Sequence, residues 1–462
     1  MTEIRCPLLE SAEISRHEVA VIVGDQRLLY HELDELATRV ARNLALLGVR
    51  QGDRVGLFLP SDARYVAILF GVLRLRAVAC PVNTRWPRAA VLDQLRRLGA
   101  RHVVAYVGSA SPADLASFTV LPPDDLLIHR DDGPGEDGWR VDLDAHATIL
   151  ATSGSSGGPK AVVHTYGNHY YSARGANVNV RLVSRDRWLV SLPLYHVGGL
   201  GILFRCVLAG ATMVFPEADE GIAQAQERHA VTHLSLVATQ LFRLLHAPDL
   251  PASFQSVRAI LLGGSAVSPG LMAEAYRRKW PVLPSYGLTE MASQVCAMPP
   301  NAPPSKRMTS GRVLRHREVG IGAAGEIEVR GDTLCAGYWV GAALQRPLTA
   351  DGWLPTGDVG SLDAEGYLTV VGRRDRMFIS GGENIHPEEV ERLLASMEGV
   401  EEALVVGVPN AEFGERPVAI LRWSGTALPD AALEERLASV LPKFKIPDAF
   451  LPWPSSVEAG AG

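Results

Sequence analysis

The chain has 462 residues, of which 47% are hydrophobic and 21% charged, and its formal net charge is −6. A single hydrophobic core stops growing near roughly 250–300 residues, so we expect at least two domains. The small net charge and the lack of a long basic tract exclude a nucleic-acid binder. The five cysteines are scattered and have no CxxC spacing, so they indicate neither a disulfide framework nor a zinc site.

The N-terminal stretch MTEIRCPLLESAEISRHE carries charges throughout and lacks the apolar core of a signal peptide. The longest apolar candidate, YVAILFGVLRLRAVACPV, is broken by Arg74 and Arg76, and no run approaches the ~18 apolar residues that a membrane helix needs. We read it as a buried helix running into a strand. We therefore expect a cytoplasmic protein without membrane insertion.

The first patterned unit, YHELDELATRVARNLALLGVRQGDRVGLFLP, predicts an amphipathic helix followed by a short strand. Leu33, Leu36 and Val40 recur at helical spacing, and Gly48 ends the helix. The same order of helix, turn and apolar strand recurs in VLDQLRRLGARHVVAYV and GIAQAQERHAVTHLSLV. This alternation is typical of an α/β fold with mostly parallel sheet.

After about residue 320 the pattern changes to short strands, as in GEIEVRG, GYLTVVGR and EALVVGV. HPEEVERLLASMEG and DAALEERLASVLP predict helices, the first with a proline near its start. We place a boundary in the charged run GRRDRM. Residues 1–374 then form a large domain of parallel and mixed sheets with flanking helices, and residues 375–462 form a small α+β domain.

The stretch ILATSGSSGGPKAVVHTYGN surrounds a single cation, Lys160, with glycines and hydroxyl side chains. Glycines let backbone N–H groups approach phosphate oxygens, hydroxyls donate hydrogen bonds, and the lysine supplies charge. The Walker A register fails, because Pro159 stands where its second glycine should be and Ala161 where Ser or Thr should be. The alternative is a solvated surface loop with a chance lysine.

A second glycine pattern, GIGAAG from Gly320 to Gly325, matches G-x-G-x-x-G. The dinucleotide-binding motif needs a helix after it, and the strand-like EIEVRG follows here. We therefore predict a turn before a hairpin at this position rather than a nucleotide site.

The stretch SYGLTEMASQ offers an aromatic face at Tyr286 and a carboxylate at Glu290. A carboxylate near a polyphosphate site usually holds Mg²⁺, and the alternative is that Glu290 caps a helix beginning near Thr289. Further on stand Asp358 in TGD and Arg373 in GRRDR, and an aspartate in a turn after a strand can accept hydrogen bonds from two ribose hydroxyls. Taken alone, Asp358 is more simply a turn residue.

Six motifs stand in one order along the chain: TSGSSGGPK, SYGLTEM, GEIEVRG, TGD, GRRDR and SGGENIHPEEVE. Together they resemble the acyl-adenylate-forming superfamily of acyl-CoA synthetases, peptide-synthetase adenylation domains and luciferase-like enzymes, over nearly the whole chain. The resemblance implies an enzyme that joins a carboxylic acid to AMP, releases pyrophosphate and passes the acyl group to a thiol. It implies ATP, Mg²⁺ and CoA as partners, and a mobile C-terminal domain.

The site residues that the resemblance implies fall into several groups. The nucleotide-binding group is Thr152, Ser153, Gly154, Ser155, Ser156, Gly157, Lys160, Gly263, Gly264, Ser265, Tyr286, Gly287, Thr289, Asp358 and Arg373. The catalytic group is Lys160, Thr289, Glu290 and His196, with Glu290 as the metal ligand. The acid pocket contains His196, Gly199 and Ser285, the thiol loop Gly381 and Gly382, and the hinge Asp375. Neutralising the phosphate charge would let a carboxylate attack the α-phosphorus.

The acid itself is suggested by HTYGNHYYSA, SLPLYHVGGLGILFRCVLAG and SYGLTEMASQV. Within the superfamily these stretches most resemble the o-succinylbenzoate–CoA ligases of menaquinone biosynthesis. His196 could face an aromatic or keto acid; the alternative is a gate or core histidine with a backbone partner. A CoA ligase for another aryl or a medium- or long-chain fatty acid stays open. So do a carrier-loading adenylation domain, a noncatalytic nucleotide binder and a homo-oligomer.

The C-terminal stretch SSVEAGAG aligns with a family pattern like T-A-S-G that precedes a catalytic lysine. That lysine would be the residue after Gly462, so we expect the chain as given to be truncated before it, or to continue in a longer native protein. The expectation is slow adenylation with conversion of a supplied acyl-adenylate to the thioester. Pyrophosphate release as fast as that of a version extended by the lysine would overturn this expectation.

Overall fold

Helices and strands alternate along the chain in the computed structural model, which describes residues 2–106, 117–128, 138–152, 160–247, 254–264, 267, 269–341, 343–373, 378–385 and 387–454. The helices are α1 (Pro7–Ile14), α2 (Tyr30–Leu46), α3 (Ala63–Arg74), α4 (Arg88–Arg97), α5 (Pro123–Leu127), α6 (Tyr166–Val180), α7 (Val197–Ala209), α8 (Ile222–His229), α9 (Ala238–Leu245), α10 (Pro269–Arg277), α11 (Pro387–Ala395) and α12 (Asp430–Ala438).

The strands before residue 300 lie between or beside these helices. They are β1 (Glu3–Arg5), β2 (Val19–Val23), β3 (Gln26–Leu29), β4 (Arg54–Phe58), β5 (Val78–Pro81), β6 (His102–Ala105), β7 (Thr119–Leu121), β8 (Arg140–Asp142), β9 (His146–Thr152), β10 (Lys160–Thr165), β11 (Arg187–Leu189), β12 (Thr212–Phe215), β13 (His233–Leu236), β14 (Ala259–Leu262), β15 (Val282–Leu288) and β16 (Ser293–Ala297).

The strands after residue 300 are mostly joined by turns. They are β17 (Arg312–Val313), β18 (Glu318–Ile321), β19 (Glu326–Arg330), β20 (Gly337–Val340), β21 (Ala343–Gln345), β22 (Leu354–Leu362), β23 (Leu368–Arg373), β24 (Phe378–Ser380), β25 (Glu383–Ile385), β26 (Val400–Asn410), β27 (Gly414–Trp423) and β28 (Ala449–Pro452).

Two large sheets form the main body. One has eight strands in the order β21-β20-β10-β9-β5-β4-β6-β7, and the other has nine in the order β17-β16-β15-β14-β13-β11-β12-β2-β3. Their inner strands are parallel, as in β14 with β13 and β15, and antiparallel pairs extend their edges. All four side chains of β14 (AILL) are buried, as expected for a parallel strand that is covered on both faces. The predicted α/β class is confirmed.

The amphipathic helix predicted around Leu33 and Val40 is α2, and both residues are buried against the core. The apolar run after it is α3 followed by β5, as predicted. Arg74 does not interrupt burial, because its guanidinium donates to the Asp34 carboxylate and to Thr38 Oγ1 at 2.7 Å. None of the described helices is long and apolar enough to cross a membrane.

A four-stranded sheet, β18-β19-β22-β23, follows the two large sheets. The GIGAAG stretch covers the last two residues of β18 and the turn into β19, with Gly320 opposite Glu328 and Ile321 opposite Ile327. The predicted hairpin is therefore confirmed, and β19 follows where a phosphate-binding helix would have to begin.

The C-terminal part has its own core and sheet. Strands β25-β24-β27-β26, with β28 against β27, pack on α11 and α12 around buried residues such as Val390, Val405 and Leu433. This is the α+β unit that the sequence predicts. Residues 374–377, which include the predicted hinge Asp375, lie outside the described residues, so the boundary at 374/375 stays a prediction.

Candidate active site

The phosphate loop connects two antiparallel strands. Strand β9 ends at Thr152, β10 begins at Lys160, and these two residues face each other in register. The predicted loop residues Ser153, Gly154, Ser155, Ser156 and Gly157 lie outside the described residues. The Lys160 side chain is exposed, and its ammonium group lies 5.3 Å from the centroid of the Tyr338 ring. A cation at that distance interacts favourably with an aromatic face.

Tyr338 connects Lys160 to Glu290. It lies on β20, which pairs with β10, and its hydroxyl donates a hydrogen bond of 2.8 Å to Glu290 Oε1. A short 3₁₀ helix, Thr289–Met291, does begin at Thr289, but its N-cap is Leu288 and no side-chain hydrogen bond caps it, so the alternative that Glu290 caps a helix is wrong. The structure thus brings Lys160 and Glu290 to one place through a tyrosine that the sequence analysis did not identify.

The chemistry of Glu290 fits a magnesium ion that is held mainly by a nucleotide. Within the described part of the chain there is no cluster of three or more His, Cys, Asp or Glu residues that could hold a metal ion. Mg²⁺ is commonly bound by one or two carboxylates together with water and substrate phosphates, so a single carboxylate is sufficient here.

The residues predicted for adenine and ribose also meet. The Tyr286 hydroxyl donates a hydrogen bond of 2.6 Å to Asp358 Oδ2. Burial, with the neighbouring Asp358 carboxylate, raises the pKa of Tyr286 well above its usual value, so this tyrosine stays a donor. Asp358 lies within β22, opposite Arg373 in β23, so its assignment to a turn is wrong. The strand is irregular there because Gly357 has φ +76° and a register shift follows Val359.

Glycines surround this site at points where chains approach closely. A side-chain carbon at Gly263 would lie 2.8 Å from Ser285 Oγ, and one at Gly287 would lie 2.3 Å from Ser293 O. Gly264 follows with φ +86°, and Ser265 lies outside the described residues. Ser285 Oγ donates to the Leu262 carbonyl at 3.1 Å, so the predicted acid-pocket serine, in the middle of β15, adjoins Gly263 just after the end of β14.

His196 begins the helix on which the predicted acid pocket depends. It is the N-cap residue of α7, and its Nε2 lies 3.3 Å from Glu383 Oε1, so the alternative of a core histidine with a backbone partner is wrong, while the alternative of a gate histidine stays a prediction. Gly199, in the first turn of α7, has no room for a side chain, since a Cβ would lie 2.2 Å from the Pro193 carbonyl oxygen.

The same helix carries a functional candidate that the sequence analysis missed, Arg205. Its side chain is 2% exposed, Nη2 donates to Ser293 Oγ at 2.9 Å, and the guanidinium carbon lies 5.4 Å from the Trp188 ring centroid. Burial lowers the pKa of Arg205 to about 10. A lone arginine inside the apolar stretch GILFRCVLA is the signal that could have identified it.

Gly381 and Gly382 form the turn between β24 and β25, with φ angles of +61° and +81°. A Cβ at Gly382 would lie 2.9 Å from Val237 Cγ1, so this C-terminal turn packs directly on the start of α9 in the large part. Glu383 follows the turn and contacts His196. Burial alone would raise the pKa of Glu383, but the His196 hydrogen bond and the charges of His196, Arg85 and Lys445 lower it overall.

The architecture and the site together define a nucleotide-dependent acid-activating enzyme. The chain belongs to the AMP-binding enzyme family: residues 8–339 match the AMP-binding enzyme family, and residues 389–457 match the AMP-binding enzyme C-terminal domain. These matches agree with the superfamily that the six sequence motifs resemble.

Within this family, the chain is similar over most of its length to enzymes named 2-succinylbenzoate–CoA ligase. The 2-succinylbenzoate–CoA ligase of Bacillus subtilis (strain 168) is 33% identical over 458 residues, covering 96% of this chain and 93% of the relative. The enzyme of the same name from Listeria monocytogenes serotype 4b (strain F2365) is 32% identical, with coverages of 95% and 93%.

Two solved structures of the Bacillus subtilis o-succinylbenzoate CoA synthetase differ in their similarity to this chain. A double mutant of that enzyme, bound with its product analogue OSB-NCoA, gives a TM-score of 0.89 at 32% identity, covering 100% of this chain and 97% of that chain. The complex with the acyl-adenylate intermediate OSB-AMP gives 0.75 at the same identity, with coverages of 98% and 95%.

Proposed function

We propose that this chain is an AMP-forming acid–CoA ligase that converts 2-succinylbenzoate (o-succinylbenzoate) into its CoA thioester by way of an acyl-adenylate. The family, the full-length relatives and the joined nucleotide-side residues support the reaction type. We place the reaction in the cytoplasm, in menaquinone biosynthesis, with ATP and CoA as co-substrates and Mg²⁺ as the metal cofactor. Alternative acids are tested below.

The observation that carries the choice of acid is the buried, uncompensated charge of Arg205. Among the described residues no carboxylate forms an ion pair with it, and its Nε has no hydrogen-bond partner there. A buried cation without an anion is costly, and the cost is removed when a ligand supplies the anion. o-Succinylbenzoate has two carboxylates, one to be activated and one to be bound, whereas a simple fatty acid has only the first.

The second buried arginine, Arg317, explains why Arg205 is the better ligand candidate. Arg317 donates to the Gln294 carbonyl at 2.6 Å and to both the carbonyl and the hydroxyl of Ser172. Burial and the repulsion of Arg205 lower the pKa of Arg317 to about 9. Its donors are therefore engaged by the protein, while it adds positive charge next to Arg205. Two neighbouring cations strengthen the attraction for a substrate carboxylate.

The nucleotide side supplies the reaction geometry. Mg²⁺, when bound at Glu290, would neutralise phosphate oxygens and so reduce repulsion of the incoming carboxylate. Lys160 adds a second positive charge, and Tyr338 orients the Glu290 carboxylate. Tyr286 and Asp358 would hold the adenosine. The acid oxygen then attacks the α-phosphorus, a P–O bond to pyrophosphate breaks, and the acyl-adenylate forms.

In the second half-reaction the CoA sulfur attacks the acyl carbon and AMP leaves with the bonding electron pair. The placement of the C-terminal part against the large part of this chain supports a conformation suited to thioester formation. Because the two Bacillus subtilis complexes have the same sequence identity to this chain and coverages that differ by only two percentage points, we infer that the higher TM-score of the product-analogue complex reflects a similar placement of the C-terminal part. The Gly382–Val237 packing and the His196–Glu383 contact belong to this placement.

The test is an assay with ATP, Mg²⁺ and CoA on three acids: o-succinylbenzoate, 4-oxo-4-phenylbutanoate, which lacks the ring carboxylate, and decanoate. A parallel arm supplies each preformed acyl-adenylate with CoA, so that the thioester step is measured alone. We expect o-succinylbenzoyl-CoA to be the preferred product in both arms. If decanoyl-CoA were the preferred product, the proposed acid would be wrong and a fatty acid would take its place. If no adenylate gave a thioester, the proposal that the chain is an acid–CoA ligase would be wrong.

A further inference from the structure

A buried polar chain lies directly behind the Thr289–Glu290 turn. His164 Nε2 lies 2.7 Å from the Thr289 carbonyl oxygen, and Thr148 Oγ1 lies 3.3 Å from His164 Nδ1 and 2.8 Å from His169 Nε2. His164 and Thr148 are 0% exposed and His169 is 2% exposed. Neither ring faces solvent, so the groups must satisfy one another.

The proton positions in this chain follow from its last acceptor. A carbonyl oxygen can only accept, so His164 Nε2 carries the hydrogen that is donated to Thr289. Burial lowers the pKa of His164 to about 4 and that of His169 well below its usual value, so both rings are neutral. His164 Nδ1 is then an acceptor, Thr148 donates to it, and the Thr148 oxygen accepts from His169 Nε2–H. Every member has one arrangement that satisfies its neighbours.

The turn held by His164 is strained. Ala292 and Ser293, directly after it, have φ angles of +52° and +127°, a region that side-chain-bearing residues rarely adopt. Such a conformation persists only where the surroundings hold it. The Thr289 carbonyl accepts from both His164 and the Ala292 N–H, the latter at 3.0 Å. The Glu290 carbonyl accepts from Cys335 N–H at 2.7 Å.

We propose that His164 is a positioning residue for adenylation, because the hydrogen bond it donates fixes the Thr289 carbonyl and so orients the Thr289 hydroxyl and the Glu290 carboxylate toward the nucleotide phosphates. This inference rests on the proposed function, in which those two groups contact ATP and Mg²⁺. His164 itself touches no substrate and acts only through Thr289. A substitution at His164 should therefore change Mg·ATP binding and the rate of adenylation. It should not change the KM for the acid or the reaction of the acyl-adenylate with CoA.

The test compares His164→Leu, which loses the donor, with His164→Gln, whose amide N–H can replace Nε2–H. His102→Leu, a buried histidine on β6 of the same eight-stranded sheet, is the matched control. Three quantities are to be measured for each variant. They are Mg·ATP binding by calorimetry, pyrophosphate release with the acid and Mg·ATP varied separately, and thioester formation from supplied acyl-adenylate.

We expect His164→Leu to weaken Mg·ATP binding and to slow pyrophosphate release by about 10- to 100-fold, as small misplacements of reacting groups do. The KM for the acid and the supplied-adenylate reaction should stay within about threefold of the parent, and His164→Gln should recover most of the loss. His102→Leu shows what the loss of a buried histidine does through stability alone. Equal losses in His164→Leu and His164→Gln would overturn the proposal. So would a loss in His164→Leu that affects both half-reactions alike and matches that of His102→Leu.

If His164→Leu fails to fold, Thr148→Val provides the second variant, since it removes the group that orients the His164 ring while leaving the ring in place. Thr148→Val should also weaken Mg·ATP binding and slow pyrophosphate release, by less than His164→Leu, and should leave the supplied-adenylate reaction unchanged. Unchanged Mg·ATP binding would count against the proposal. Failure of the proposed function has a different signature: the parent chain would then bind Mg·ATP but form no adenylate with any acid.

Discussion

The nucleotide side and the acid side of this site handle negative charge in different ways. On the nucleotide side the cation is exposed: Lys160 lies at the end of a strand, and Tyr338 joins it to Glu290. On the proposed acid side the cations are buried, with Arg205 and Arg317 each at most 6% exposed. A triphosphate brings its own metal ion and water, so exposed groups suffice, whereas in the proposed function the second carboxylate of the acid would be taken out of water and would need a cation already present.

This difference separates general function from specificity. The exposed groups suit any acid, because every acid needs the same nucleotide. In the proposed function the buried arginine would select, because an acid without a second carboxylate would leave Arg205 uncompensated and would lose affinity on that account. If this comparison is correct, substitutions on the nucleotide side reduce the reaction of all acids equally, and substitutions at Arg205 change the order of preference among acids.

The largest effect is expected for Lys160→Ala. Loss of a preorganised charge beside the phosphates should slow pyrophosphate release by about 1,000-fold. The loss should be the same for o-succinylbenzoate and 4-oxo-4-phenylbutanoate, measured by pyrophosphate release at saturating acid. Lys279→Ala, at an exposed lysine after α10, is the control and should retain the parent rate. A loss that depends on the acid would break the separation between the two sides.

The next effect is expected for Arg205→Met. Removal of a charged hydrogen-bond donor should lower kcat/KM for o-succinylbenzoate by about 100-fold. The value for 4-oxo-4-phenylbutanoate should stay within about threefold, since that acid offers no second carboxylate to lose. Arg205→Lys keeps the charge, so its kcat/KM for o-succinylbenzoate should lie between those of the parent chain and Arg205→Met. Equal losses for both acids would show that Arg205 supports the fold rather than recognising the acid.

A smaller effect is expected for Tyr338→Phe, which removes the hydrogen bond to Glu290 and keeps the aromatic face beside Lys160. The KM for Mg·ATP should rise about 10-fold, because one hydrogen bond to a charged group is lost. The KM for the acid should not change. Steady-state pyrophosphate release with Mg·ATP varied at fixed acid, and with acid varied at fixed Mg·ATP, measures both. A rise confined to the acid KM would place Tyr338 on the wrong side of the site.

The smallest effect is expected at the His196–Glu383 contact. Because the neighbouring cations lower the pKa of Glu383 in the docked arrangement, its contribution is complete above the ordinary glutamate pKa and is lost as the pH falls through the lowered value. Glu383→Gln should slow thioester formation from supplied adenylate by about threefold at neutral pH. Mg·ATP binding should be unaffected. A variant as slow in pyrophosphate release as in thioester formation would contradict a role in the second step.

The sequence predicted the nucleotide side better than the acid side, for physical reasons. Lys160 and Glu290 lie in short glycine- and hydroxyl-rich motifs whose composition reflects a phosphate ligand. Tyr338 was missed because its contacts are all distant in the sequence: β20 pairs with β10, and Glu290 lies in a separate turn. Asp358 was placed in a turn because the Gly357 irregularity looks like a turn, although it is a distortion within β22.

Arg205 was missed for a different reason. An arginine in an apolar helix can be paired with a carboxylate, as Arg74 is with Asp34, or left without one, and only three-dimensional packing distinguishes the two. The α/β order, the C-terminal α+β unit and the GIGAAG hairpin were predicted correctly, because hydrophobic period and turn residues act locally. The buried His164–Thr148–His169 chain had no such local signal, since its members come from two strands and a helix.

The most direct measurement is a competition in one vessel. Equal concentrations of o-succinylbenzoate, 4-oxo-4-phenylbutanoate and decanoate are incubated with the protein, Mg·ATP and CoA, and the CoA thioesters and AMP are quantified by mass spectrometry. The account predicts that o-succinylbenzoyl-CoA dominates and that AMP forms in equal amount. Preferential formation of decanoyl-CoA, or equal use of the two aromatic acids, would contradict it.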